Sequence, residues 1–155
     1  MKNNVVILLV GCPGSGKSTW GRSYADRMGI VRLCPDEFRA KLGTGEDDQT
    51  VSPQAFGMTR SAMKNALELG QSVMIDATNM YKSTRKQFLD IAHKYNIKTM
   101  AVVFEVDKEI LLKRNRKRGK AGGRNVPEDI IDMMLAKYQR PDKTEFNEIL
   151  YITKV

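Results

Sequence analysis

Residues that could staple this chain or ligate a soft metal are scarce. There are two cysteines, Cys12 and Cys34, and a single histidine, His93. The cysteines stand apart with no metal-ligand spacing around them, and His93 sits within a helical pattern, which argues against a disulfide framework and against a zinc site. Long apolar runs are missing too. The run VVILLV at 5–10 follows one lysine, lacks a small-residue cleavage site and is too short to span a bilayer. The expectation is therefore a cytoplasmic protein with no signal peptide and no membrane partner. Low-complexity tracts and internal repeats are absent, which argues against a disordered or repetitive chain. Acidic residues are in deficit, 18 against 26 basic ones, giving a net charge of +8. That balance favours contact with polyanions without proving it.

What is present fits one ordinary core. At 155 residues with 41% hydrophobic side chains, the chain predicts a single domain over 1–155. Strand-like runs at 5–10, 30–33, 72–76, 98–106 and 148–152 alternate with helical patterns starting near Lys17, Asp36, Ser52, Ser83, Lys108 and Pro127. Ser52 reads as a helix cap with Pro53 in the first turn, and Gly70 as the stop. Residues 43–48 read as a loop. Alternation of this kind calls for right-handed crossovers and a parallel sheet whose active face lies at the strand C-terminal ends.

The strongest local signal follows the first strand. Gly11, Gly16, Lys17 and Ser18 satisfy G-x-x-x-x-G-K-[ST] between a strand and a helix, with Pro13 and Thr19 completing the stretch PGSGKST. Gly14, Ser15 and Gly16 are small enough for backbone N–H groups to curl around a phosphate, and Lys17 places a charge on the outer phosphates. Ser18 is the expected direct magnesium ligand; the competing reading is a glycine-rich turn packed for structural reasons. Asp76 closes the third strand, where an acid can hold magnesium directly or through water. It can equally be a helix cap or a turn former. Ala77 stands where many ATP hydrolases carry a glutamate, which points to transfer onto an acceptor other than water.

Phosphoryl transfer then needs a base and mobile cations. Asp36, in LCPDEFR at 33–39, can be a polar cap of the helix that begins there or can take a proton from an acceptor hydroxyl. Lys113, Arg114, Arg116, Lys117, Arg118, Lys120 and Arg124 crowd one stretch. They form either a solvated helix end with a basic loop or a lid over ATP. Arg118, beside GKAGG whose glycines permit a mobile loop, is the best candidate to neutralise charge between the β and γ phosphates. Phe38, Phe56 and Tyr81 are candidates for base stacking, each equally suited to filling space.

Taken in order, GCPGSGKSTW, PDEFR, DATN and KRNRKRG resemble the kinase domain of the phage-type 5′-polynucleotide kinases, from Val5 to about Tyr138. The resemblance implies an α/β P-loop kinase fold: a three-layer sandwich with four to five parallel strands, helices on both faces and a mobile lid over about 114–126. It implies transfer of the γ-phosphate of ATP, with Mg2+, to the 5′-hydroxyl of single-stranded or end-exposed DNA or RNA. It implies Asp36 as general base, Arg39 on the phosphate 3′ to the acceptor nucleotide, Arg118 on the donor phosphates and Arg114 against adenine. Thr78 of DATN falls among the substrate-binding residues. Phage members read Asp-Thr-Asn consecutively, so Ala77 displaces Asp76 by one residue. No Asp-x-Asp-Gly-Thr motif is present, so a 3′-phosphatase activity is not expected. A small-metabolite kinase and a non-catalytic, nucleotide-gated nucleic-acid-binding module are the alternatives.

Overall fold

The computed structural model describes residues 3–46, 48–122 and 125–153. Arg124 of the basic stretch, position 47 of the expected loop and the chain ends lie outside the described residues. β1 (Val5–Val10) leads through a glycine-rich loop into α1 (Lys17–Met28), followed by β2 (Val31–Leu33) and α2 (Pro35–Leu42). A 3₁₀ turn (Gln49–Val51) precedes α3 (Ser52–Glu68), then β3 (Val73–Ile75) and α4 (Lys82–Lys94). The remainder is β4 (Lys98–Phe104), α5 (Lys108–Lys120), α6 (Glu128–Lys137) and β5 (Glu148–Ile152).

The strands form one parallel sheet in the order β2-β3-β1-β4-β5. β1 is central because it is apolar on both faces, as a strand covered by helices on each side must be. Leu8 sits in register with Ile75 on one side and Ala101 on the other. Val6, Leu8 and Val10 pack with Met63, Leu67, Phe88 and Leu89 of α3 and α4. Ile7 and Leu9, pointing the opposite way, pack with Ala25, Trp20 and Tyr24 of α1. The expected three-layer α/β P-loop kinase fold is borne out. A third apolar cluster, Cys12, Met80, Leu111, Val126 and Ile131, seats α5 and α6 beside the phosphate loop. Among the described residues, no helix is long and apolar enough to cross a membrane.

Three local expectations change. Ser52 is not a cap: α3 follows directly on the 3₁₀ turn, whose own cap is Asp48, accepting from the Thr50 N–H. The Ser52 hydroxyl donates to Gln49 instead. Asp36 likewise sits inside the first turn of α2, with Cys34 at the cap position and Pro35 preset for the first helical residue. Gly119 is helical and not part of a loop, because α5 runs on to Lys120. Its lack of a side chain serves a close approach, since a Cβ there would lie 2.7 Å from that of Asn125.

Candidate active site

The phosphate loop owes its shape to glycines at two left-handed positions, Gly14 (φ 87°) and Gly16 (φ 89°), conformations that a side chain would strain. Gly16 is also the cap residue of α1 and contributes no side-chain cap, so the first N–H groups of that helix open onto the loop. A Cβ on Gly11 would stand 2.8 Å from Ser15 Oγ and 3.1 Å from Phe104. The Ser15 hydroxyl is 1% exposed and has no hydrogen-bond partner among the described residues. A cradle of left-handed glycines around an orphaned hydroxyl is chemically suited to phosphate oxygens.

A second loop braces the cradle. The Gly11 N–H donates to Thr78 O at 2.9 Å. Next along, Asn79 adopts φ 47°, a region asparagine tolerates better than most residues, and its amide donates to Leu9 O at 2.8 Å. Arg85 of α4, wholly buried, donates to the Asn79 carbonyl at 2.8 Å and forms a two-point ion pair with Glu145, both bonds at 2.9 Å. A buried guanidinium thus ties the loop after β3 to the segment before β5.

Beside the cradle, the Ser18 hydroxyl donates to Asp76 Oδ1 at 3.2 Å, and Asp76 is 2% exposed. Asp76 Oδ2 accepts from Arg32 Nε at 2.9 Å and from Arg32 Nη2 at 2.7 Å. Burial works against the charge of Arg32, but the Asp76 carboxylate, with Glu37 adding to it, raises the guanidinium above its ordinary range. No cluster of three or more His, Cys, Asp or Glu suited to a metal exists among the described residues. One hydroxyl and one carboxylate are what Mg2+ requires of a protein when phosphates and waters supply the remaining oxygens, so the residues fit that ion. Cys12 and Cys34 flank the site as buried thiols. Burial pushes both up to about 11, with Lys17 pulling Cys12 partly back and Asp76 adding to the rise at Cys34.

Two cavities meet at Lys17 and Ser18. One, of about 560 Å³, is lined by Gly14, Gly16, Thr19, Trp20, Arg114 and Arg118. Arg114 Nη1 donates to Gly14 O at 3.2 Å and Arg118 Nη2 to Asn115 Oδ1 at 3.4 Å. The other, of about 760 Å³, holds Asp36, Arg39, Phe56, Asp76 and Thr78. Arg39 is 6% exposed, ion-paired with Asp36, and donates to Glu46 O at 2.8 Å and to Ser52 Oγ at 3.3 Å. Pro13 lines a neighbouring cleft with Lys17, Asp36 and Arg118.

Gly11, residues 13–19, Asp36, Arg39, Asp76, Thr78, Arg114 and Arg118 therefore all lie in the phosphate loop or along these cavities. Of the three aromatic candidates only Phe56 lines the larger cavity; Phe38 lies near Lys41, and Tyr81 packs against the apolar cluster under α5 and α6. Arg32, Trp20 and Arg85 were not legible as site residues. A charged residue in the middle of a short strand was the one available signal for Arg32.

Residues 6–141 match the AAA domain family. The L-seryl-tRNA(Sec) kinase of Methanococcus maripaludis is 27% identical, with the match covering 94% of this chain and 63% of that protein. The bifunctional polynucleotide phosphatase/kinase of Schizosaccharomyces pombe is 26% identical across 90% of this chain and 31% of its own length. This chain thus spans less than two thirds of either relative. Among solved structures, a chain of the Pnkp1/Rnl/Hen1 RNA repair complex superposes with a TM-score of 0.77 at 27% identity, covering 88% of this chain and 44% of that one. A structure from Chloroflexus aurantiacus shares the fold with a TM-score of 0.80 at 18% identity, over 99% of this chain and 86% of that one. By its phosphate loop, its strand order and the match over residues 6–141, the chain belongs to the AAA domain family, as a P-loop kinase domain similar to that of the polynucleotide kinases.

Proposed function

We propose that this kinase domain transfers the γ-phosphate of ATP to the 5′-hydroxyl of a DNA or RNA end. The observation that carries the reading is the Asp36–Arg39 pair, which lines one cavity with Lys17, Ser18 and Asp76. In this reading Asp36 accepts the proton of the attacking hydroxyl while Arg39 holds the carboxylate in place and meets the phosphate on the 3′ side of the acceptor nucleotide. Lys17, the backbone N–H groups of the loop and Arg118 stabilise charge on the transferring phosphoryl group, and Arg114 lies against the adenine. Ser18 and Asp76 would hold Mg2+, which neutralises phosphate oxygens when bound. Phe56 offers an apolar wall to the terminal base. Restoring a 5′-phosphate is a repair step, in keeping with the RNA repair complex in which the Pnkp1 neighbour is found.

A second reading, phosphorylation of a hydroxyl that is not a polynucleotide 5′ end, draws on the match to the archaeal seryl-tRNA kinase over 94% of this chain. The test is competition for the labelled γ-phosphate of ATP among single-stranded DNA, single-stranded RNA, nucleoside 3′-monophosphates and small alcohols. Label on oligonucleotide 5′ ends, with a steep fall in rate as salt rises, is the expected result. Transfer to small alcohols alone, or ATP binding with no transfer at all, overturns the proposal.

A further inference from the structure

The two oxygens of Asp76 are held differently. Oδ2 takes two N–H bonds from one guanidinium, that of Arg32, at 2.9 and 2.7 Å, whereas Oδ1 takes the Ser18 hydroxyl at 3.2 Å. Arg32 arrives from the neighbouring strand: β2 and β3 pair Leu33 with Ile75, and the Asp76 N–H continues the ladder to Leu33 O at 2.8 Å. The remaining guanidinium nitrogen, Nη1, donates to Glu37 Oε2 at 3.0 Å. Glu37 follows Asp36 in the first turn of α2. One planar side chain thus touches both the carboxylate beside Ser18 and the helical turn that carries the proposed base.

We propose that Arg32 is a positioning residue: it locks the Asp76 carboxylate so that Oδ1 faces Ser18 and the metal position, and it couples that carboxylate to the turn bearing Asp36. The inference rests on the reading of Asp76 as a metal-side carboxylate. The torsion that spins a carboxylate about its Cβ–Cγ bond is soft, so an unrestrained Asp76 would sample many orientations. Mg2+ demands near-ideal octahedral geometry, and a carboxylate turned away from it loses affinity. Two bonds from a rigid fork to one oxygen remove that freedom. A lysine, being a point charge on a flexible stem, would not reproduce them. Glu37 is half-exposed, with its side chain 49% accessible, so it serves as the tether to α2 and not as the lock.

The experiment measures Mn2+ affinity of the protein bound to a non-hydrolysable ATP analogue, by water proton relaxation, with no acceptor present. Arg32→Gln is expected to weaken Mn2+ by roughly 10- to 100-fold, the usual range for loss of an outer-shell partner, while nucleotide affinity in EDTA stays within twofold. Arg32→Lys should retain the fold and still lose most of that affinity, which keeps the test open if Arg32→Gln folds poorly. Glu37→Gln should leave Mn2+ binding within twofold. Wild-type Mn2+ affinity in both Arg32 variants, with a loss in Asp76→Asn, overturns the positioning role alone. Wild-type affinity in Asp76→Asn as well overturns the metal-side reading beneath it. Parallel loss of metal-free nucleotide binding would make Arg32 merely structural and also overturns the proposal.

Discussion

Replacing Arg85 with methionine strands a carboxylate and a carbonyl in the interior. Arg85 is 0% exposed, makes two 2.9 Å bonds to Glu145, whose side chain is 12% accessible, and a 2.8 Å bond to the Asn79 carbonyl. Removing one partner of a buried ion pair costs about 3–5 kcal/mol, chiefly because the other charge is left unpaired. An unsatisfied buried carbonyl carries a penalty of about 1–3 kcal/mol, partly the same desolvation counted from the other side. Taking about 4 kcal/mol in all, and about 2–4 °C per kcal/mol for a chain of this size, Tm should fall by roughly 8–16 °C. Urea unfolding at 25 °C measures the free energy directly. The companion variant R85M/E145M removes the stranded charge and should be more stable than R85M alone. Because Asn79 adjoins the Thr78 carbonyl that anchors Gly11, the KM for ATP should rise in R85M and stay raised in the double variant, which lacks the same bond to Asn79. A Tm shift under about 2 °C, or a double variant no more stable than the single one, would refute the assignment of this pair as a brace for the phosphate loop.

In the proposed function Asp36 is the base, and Asp36→Asn keeps its shape without its basicity, so kcat should fall by about 10²- to 10⁴-fold with ATP affinity unchanged in equilibrium titrations; unaltered turnover would leave Asp36 only its ion pair with Arg39. The buried thiols give a pH signature. With Cys12 and Cys34 raised to about 11, the folded state keeps two protons that unfolded chains release above about pH 8.5. Their contribution to stability is therefore complete below that pH and is lost as the pH rises towards 11. Urea denaturation at pH 8 and pH 10.5 should show a larger loss for the wild type than for the variant with Cys12→Ala and Cys34→Ala. Equal losses would mean that the thiols titrate normally.

The sequence by itself determined what is encoded within a few residues. Gly14 and Gly16 dictate the loop because they adopt backbone angles that other residues avoid, and the apolar run VVILLV dictates a buried central strand. Lys17 and Ser18 followed from position in the motif. Gly119 misled for the same local reason: beside further glycines it reads as loop, whereas its bareness answers Asn125 from across the fold. Asp36 was legible as a residue, but its ion pair with Arg39 and the hold of Arg39 on Glu46 and Ser52 depend on how the segment after α2 folds back.

What only the tertiary structure decided are the long-range polar partnerships. Arg32 and Asp76 are 44 residues apart and Arg85 and Glu145 are 60 apart, distances at which no motif or period operates. They meet because β2 and β3 lie side by side and because the segment before β5 brings Glu145 against Arg85 of α4. Hydrophobic patterning says that a face is buried but not which neighbour covers it, and a charged side chain can be buried only where that neighbour supplies its partner.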